Sequence, residues 1–189
     1  MSIEADLERL GYTMKWIDSG ILTPEVLSEQ VNSASENTDS KFEHERLGVL
    51  RKWISERIER SDIQIEAFIE IAQSDPDKNM SGSALMEMLD NGNLTSLQFE
   101  RIASILPQFG GWTTKRIDRA KIKRENSTIE IEDRIFEKCL SMKDASVYRW
   151  LIEHPKITHG QLKKLSELAD SKAIRNRAKD SLKSRRWKA

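Results

Sequence analysis

A hydroxyl residue, followed three places on by Gln or Glu and four places on by a large apolar residue, recurs along this chain of 189 residues. The segments are Ser61-x-x-Gln64-Ile65, Thr95-x-x-Gln98-Phe99, Ser127-x-x-Glu130-Ile131 and Thr158-x-x-Gln161-Leu162. In a capping box the hydroxyl accepts a first-turn amide, and the Gln or Glu reaches back to the amide of the cap residue. Thr23 opens a fifth segment, with Pro24 at the first helical position and Leu27 as its apolar anchor. Further apolar residues, Val31, Ile69, Ile102, Ile135 and Leu165, fall one turn later. Five helix starts spaced 38, 34, 32 and 31 residues apart confine the chain to a helical architecture with a repeat-like period.

The apolar residues agree. There are 19 Ile and 17 Leu against 4 Val and 2 Tyr, and no period-2 run of five residues that a half-buried strand needs. Second helices are expected to begin near Ser40, Met80, Thr113, Asp144 and Ser171, and one more spans Ser2–Asp18. The expectation is therefore all-α, with about eleven helices in five to six stacked hairpins, as an α-solenoid or a compact arc. It takes the form of one domain over 1–189, with acidic repeats at 1–60, middle repeats at 61–126 and basic repeats at 127–189. Sequence copies point the same way: ERLGYTMKWI at Glu8–Ile17 returns as ERLGVLRKWI at Glu45–Ile54, and WIDSGILT at Trp16–Thr23 returns as MLDNGNLT at Met88–Thr95.

The last two units, Thr158-x-x-Gln161-Leu162-x-x-Leu165 followed by Ser171-x-x-x-Arg175, resemble HEAT and leucine-rich-repeat-variant α-solenoids, and Asp144-x-x-x-x-Arg149 is a near copy. The resemblance implies a Thr-capped helix followed by a helix with an inward Arg. It is clearest from Asp144 onward and implies a fold without a function.

Residues able to carry chemistry are few. Asp75, Asp77, Asn79, Ser81 and Ser83 place an oxygen at every second position, but Met80 and Met86 stand where a calcium loop needs Gly and a bidentate acid. His154 and His159 flank a proline loop without a third ligand at zinc spacing, and His44 lies between two acids. The single Cys139 fits a buried helical position, and Gly110-Gly111 lacks the Lys and hydroxyl of a phosphate loop. The expectation is no enzyme activity, no cofactor and no metal. Trp16, Trp53 and Trp150, with Met88 at the matched position, read as core; Trp112 and Trp187 fall outside that register and read as exposed.

Charge is balanced in total, 31 bases against 31 acids, but not in place. Residues 1–50 hold ten acids and four bases, whereas residues 161–189 hold ten bases and three acids. Lys172, Arg175, Lys179, Lys183 and Arg186 form one stripe at helical spacing, flanked by Arg177, Arg185 and Trp187. Trp112, Arg116, Arg119 and Lys123 form a second basic segment, with Lys115, Lys121 and Arg124 alongside. These residues are the expected partner-binding positions. The expected function is a non-enzymatic protein–protein interaction module, whether adaptor, inhibitor or toxin-neutralising immunity-type protein. The alternative is a nucleic-acid-binding solenoid whose basic stripes follow phosphates, which the acidic N-terminal third opposes. No apolar run approaches the roughly 18 residues of a membrane span, and the acidic start lacks a signal segment, so a cytoplasmic protein is expected. Opposite charge at the two ends also predicts weak head-to-tail self-association at low salt.

Overall fold

A computed structural model describes residues 2–36, 42–56, 58–91, 93–127 and 129–184. The fold is all-α: the described residues form twelve α-helices and one 3-10 turn, with no strand among them. None of these helices is long and apolar enough to cross a membrane. The residues group into two compact units, 1–117 and 118–189.

The first unit begins with α1 (Ile3–Leu10), α2 (Met14–Asp18), α3 (Pro24–Glu36) and α4 (Glu43–Ser55). It continues with α5 (Asp62–Ser74), α6 (Lys78–Asn91), α7 (Ser96–Ile105) and the 3-10 turn at Leu106–Phe109, and then the start of α8 (Trp112–Glu125). The expected Ser2–Asp18 helix is two helices. Gly11 ends α1 in the left-handed region at φ 75° and Tyr12 turns inward, its ring edge-on to Trp16 at 4.8 Å. In the sequence copy, Gly48 lies inside the unbroken α4. The two decapeptides therefore share letters but not conformation.

Apolar faces of α4, α5, α6 and α7 close the core of this unit around Leu50, Phe68, Ile69, Leu85 and Ile102, and α5 packs against both α6 and α7. Of the four residues expected in the core, Trp16, Trp53 and Met88 are buried, whereas Trp150 is half-buried. Trp53 is stacked on Phe68 at 5.3 Å, and the Arg60 guanidinium lies over its ring, 3.8 Å from the centroid. Burial lowers the Arg60 pKa, partly offset by the Glu56 carboxylate. Arg60 also donates to the carbonyls of Trp53 and Ile58, so a buried cation closes the C-terminal end of α4.

The second unit contains the end of α8, then α9 (Asp133–Ser141), α10 (Ala145–Glu153), α11 (His159–Leu168) and α12 (Lys172–Ser184). Its core joins Ile122, Phe136, Cys139, Leu151, Leu162 and Ile174, with Trp150 packed against it. One expected start is misplaced. Ser127 caps no helix; its hydroxyl donates to the Arg124 carbonyl, so it closes α8, and α9 begins after Glu132. Ser61, Thr95 and Thr158 make complete capping boxes, and Thr23 accepts from the Val26 amide; the expected start near Ser40 lies outside the described residues.

Candidate functional site

The capping boxes do more than start helices. Gln98 accepts from the Thr95 amide through Oε1, while its Nε2 donates to the Arg60 carbonyl at 2.9 Å and to Asp62 Oδ1 at 2.8 Å. Every hydrogen-bonding direction of that buried amide except one lone pair is used. One turn on, Arg101 grips Glu66 with two parallel bonds of 2.7 and 2.8 Å, which lower the Glu66 carboxyl below its ordinary value. The second unit repeats the seam. Gln161 accepts from the Thr158 amide and donates to the Ile131 carbonyl at 2.7 Å and to Asp133 at 3.1 Å, and Lys164 meets Glu137 one turn on. The matching residues are thus Asp62 and Asp133, Glu66 and Glu137, Gln98 and Gln161, Arg101 and Lys164.

Over the α5–α7 seam lies a shallow groove of about 210 Å³ lined by Asp62, Ile65, Glu66, Leu97, Gln98 and Arg101. Ile63 and Leu97, the second residues of α5 and α7, are each 82% exposed. Sequence reading missed this pair: each looks like an ordinary apolar residue in a helical run, and the signal lies in its position directly before or after a box or seam residue.

The basic positions divide into engaged and presented groups. On α12, Lys172, Lys179 and Lys183 are exposed on one face and have no ion-pair partner among the described residues. Arg175 leaves that stripe: its guanidinium turns back to the carbonyls of Ala169 and Asp170 and closes the end of α11. Arg177 pairs with Glu153 at 2.5 Å. On α8, Arg116 pairs with Asp90 at 3.5 Å and sits 5.6 Å from the Trp112 ring. Arg119 pairs with Asp144, and Lys123 is half-buried. Trp112 is exposed, as expected, at 39%. Arg185, Arg186 and Trp187 lie outside the described residues.

Groups with reactive potential are held in structural roles. Asp75, first of the alternating oxygens, is buried and bonded twice by Arg46, and Asp77 caps α6 through the Asn79 and Met80 amides. Ser81 and Ser83 donate back to carbonyls within α6 and its cap. His154 Nδ1 accepts from the Lys156 amide, which leaves Nε2 as the donor to the Asn126 carbonyl at 2.7 Å. Burial pushes the Cys139 thiol up to about 11, against the nearby Lys138 charge. Burial likewise pushes the Tyr12 hydroxyl up to about 12, although its bond to Gln30 acts the other way. Among the described residues, no three His, Cys, Asp or Glu side chains gather as metal ligands would.

No protein-family model matches the chain, and no curated protein or solved structure is significantly similar to it.

Proposed function

We propose that this chain is a non-enzymatic protein-interaction module of the cytoplasm, an adaptor, inhibitor or toxin-neutralising immunity-type protein, that presents the lysine face of α12 to an acidic protein surface. The observation that carries this reading is the contrast on α12: Lys172, Lys179 and Lys183 face solvent while Arg175 and Arg177 are engaged within the fold. Exposed cations of this kind select and steer a partner of opposite charge. The engaged state of the buried thiol, imidazole and phenol favours binding over catalysis, since each would have to leave its bonds or its apolar site to react.

A nucleic-acid partner is the weaker reading. Affinity for a phosphate backbone comes from cations that release its counterions. Arg116, Arg119 and Arg177 already have carboxylate partners, which weakens both basic stripes as phosphate tracks. We also read each unit as stacked helical hairpins of the HEAT-like kind. The recurrence of the Gln–Asp bond and the ion pair one turn on, in α5–α7 and again in α9–α11, supports this.

The triple substitution Lys172→Glu, Lys179→Glu and Lys183→Glu tests the proposal. The substituted chain should keep its helical circular dichroism but lose the protein that co-purifies with the wild type. Retention of that protein would overturn the reading. Retardation of a DNA duplex by the wild type at low salt, abolished in the triple variant, would establish the nucleic-acid alternative instead.

A further inference from the structure

The α5–α7 surface carries two large apolar side chains that its bonding does not require. The seam in the second unit makes the same hydrogen bonds and an ion pair in the same place, yet the positions matching Ile63 and Leu97 hold Arg134 and Gly160. Aliphatic side chains left 82% exposed on neighbouring helices beside a groove are a cost to the free chain that a covering partner removes. The segments bordering the groove, 59–66 and 97–101, carry Glu59, Asp62, Glu66 and Glu100. The exposed cation there is Arg101, and it is bound to Glu66, while Arg60 is buried. The surface therefore fits a large apolar anchor with cations on both sides.

The chain itself contains such a segment, Arg185-Arg186-Trp187-Lys188, immediately beyond α12 and outside the described residues. We propose that the α5–α7 groove, lined by Leu97 and by Asp62 with the exposed Ile63 next to it in the chain, receives Trp187 and its flanking cations from a second copy of the chain. Trp is the side chain that gains most from covering exposed aliphatic groups, and Arg185, Arg186 and Lys188 then face the acidic border. Groove and segment are different surfaces, so the contact is heterologous and propagates head to tail instead of closing as a twofold dimer. This self-association is separate from the lysine face of α12 and stands or falls without it.

Sedimentation of the full chain tests it. At low ionic strength the wild type should pass from monomer through dimer to larger species as concentration rises. A salt increase that shortens the Debye length from about 10 Å to about 3 Å should return it toward monomer. A groove variant, Ile63→Asp with Leu97→Asp, should remain monomeric. So should a segment variant, Arg185→Glu with Arg186→Glu and Trp187→Ala. Mixed in equal amounts, the two variants should form a heterodimer of twice the monomer mass that grows no further, because one supplies only the segment and the other only the groove. Both sets of substitutions are at the surface or beyond α12, and Asp near a helix start is favourable, so circular dichroism should match the wild type. A wild type that stays monomeric, a single variant that associates like the wild type, or a mixture that stays monomeric would each overturn the proposal.

Discussion

Arg46 and Asp75 form a buried, doubly bonded ion pair, Nε to Oδ2 at 2.8 Å and Nη2 to Oδ1 at 3.4 Å. The remaining guanidinium nitrogen of Arg46 donates to the Leu10 carbonyl at 3.1 Å, and Asp75 also accepts from the Asp77 amide. One pair thus ties the end of α1, the first turn of α4, the end of α5 and the approach to α6. The charges are worth holding there because all three guanidinium nitrogens and both carboxylate oxygens take part in hydrogen bonds.

Removing one member should therefore cost far more than a surface ion pair. Arg46→Met leaves the Asp75 carboxylate buried without its cation, and a loss of about 3–5 kcal/mol is expected. The surface pair Arg51–Glu87, bonded at a similar 2.8 Å but half in water, should lose less than about 1 kcal/mol in Arg51→Met. Urea unfolding of the two variants against the wild type checks the contrast. Equal midpoints would show that the buried pair contributes nothing beyond an exposed one.

The box residues make a second contrast. A capping box accepts Gln or Glu alike, so Gln64→Glu, whose Nε2 has no partner among the described residues, should be close to neutral. In Gln98→Glu and Gln161→Glu an oxygen replaces the donor that faces a carbonyl and a carboxylate. Each should destabilise by about 1–3 kcal/mol, the cost of leaving buried acceptors unpaired, with added repulsion from Asp62 or Asp133. Denaturant midpoints separate the two kinds of box, and a neutral Gln98→Glu would sink the seam as a stabilising device.

These residues also mark how far the sequence could be read. Helix starts at Ser61, Thr95 and Thr158 are legible because a cap is a local bargain between four neighbouring residues. Ser127-x-x-Glu130 matches the same letters, but local rules do not register that α8 runs on to Glu125 and uses the Ser127 hydroxyl at its end. The stripe on α12 is legible as a face, since spacing fixes direction. Which of its cations are engaged is not, because the Glu153 that meets Arg177 lies 24 residues away and the carbonyls that hold Arg175 belong to another helix end. The exposed Ile63 and Leu97 are hidden for the same reason: their neighbours across the seam come from a segment about 35 residues distant.

The cap of α10 makes the second unit acid-sensitive. Burial alone would raise the Asp144 carboxyl, but bonds from the Ser146 hydroxyl and the Val147 and Ser146 amides, with the Arg119 charge, hold it below its ordinary value. A carboxyl depressed in the folded state adds stability that is complete above its unfolded pKa, about 3.9, and is lost as pH falls through the folded value. Asp144→Asn keeps a good cap residue but removes the charge. Thermal melts should show the wild type above this variant at pH 7, with the difference shrinking below about pH 4. A difference that stays constant down to pH 2.5 would contradict the linkage.

The sharpest test uses the two glycines of the copied decapeptide. Gly48 lies inside α4, exposed, and a methyl group there would meet nothing within 4 Å. Gly48→Ala should stabilise by about 0.5–1 kcal/mol, because Gly gives up more backbone freedom than Ala in a helix. Gly11 sits at φ +75°, and a Cβ on it would stand 2.6 Å from Nη1 of Arg46, the atom that bonds the Leu10 carbonyl. Gly11→Ala must accept a left-handed backbone and displace a guanidinium held by Asp75, so it should destabilise by at least about 1 kcal/mol. Opposite signs from the same substitution would show that the two glycines, alike in the copied letters, occupy different conformations, one left-handed against Arg46 and one helical and open. Equal effects in thermal or urea unfolding would contradict the left-handed turn and the guanidinium contact at Gly11.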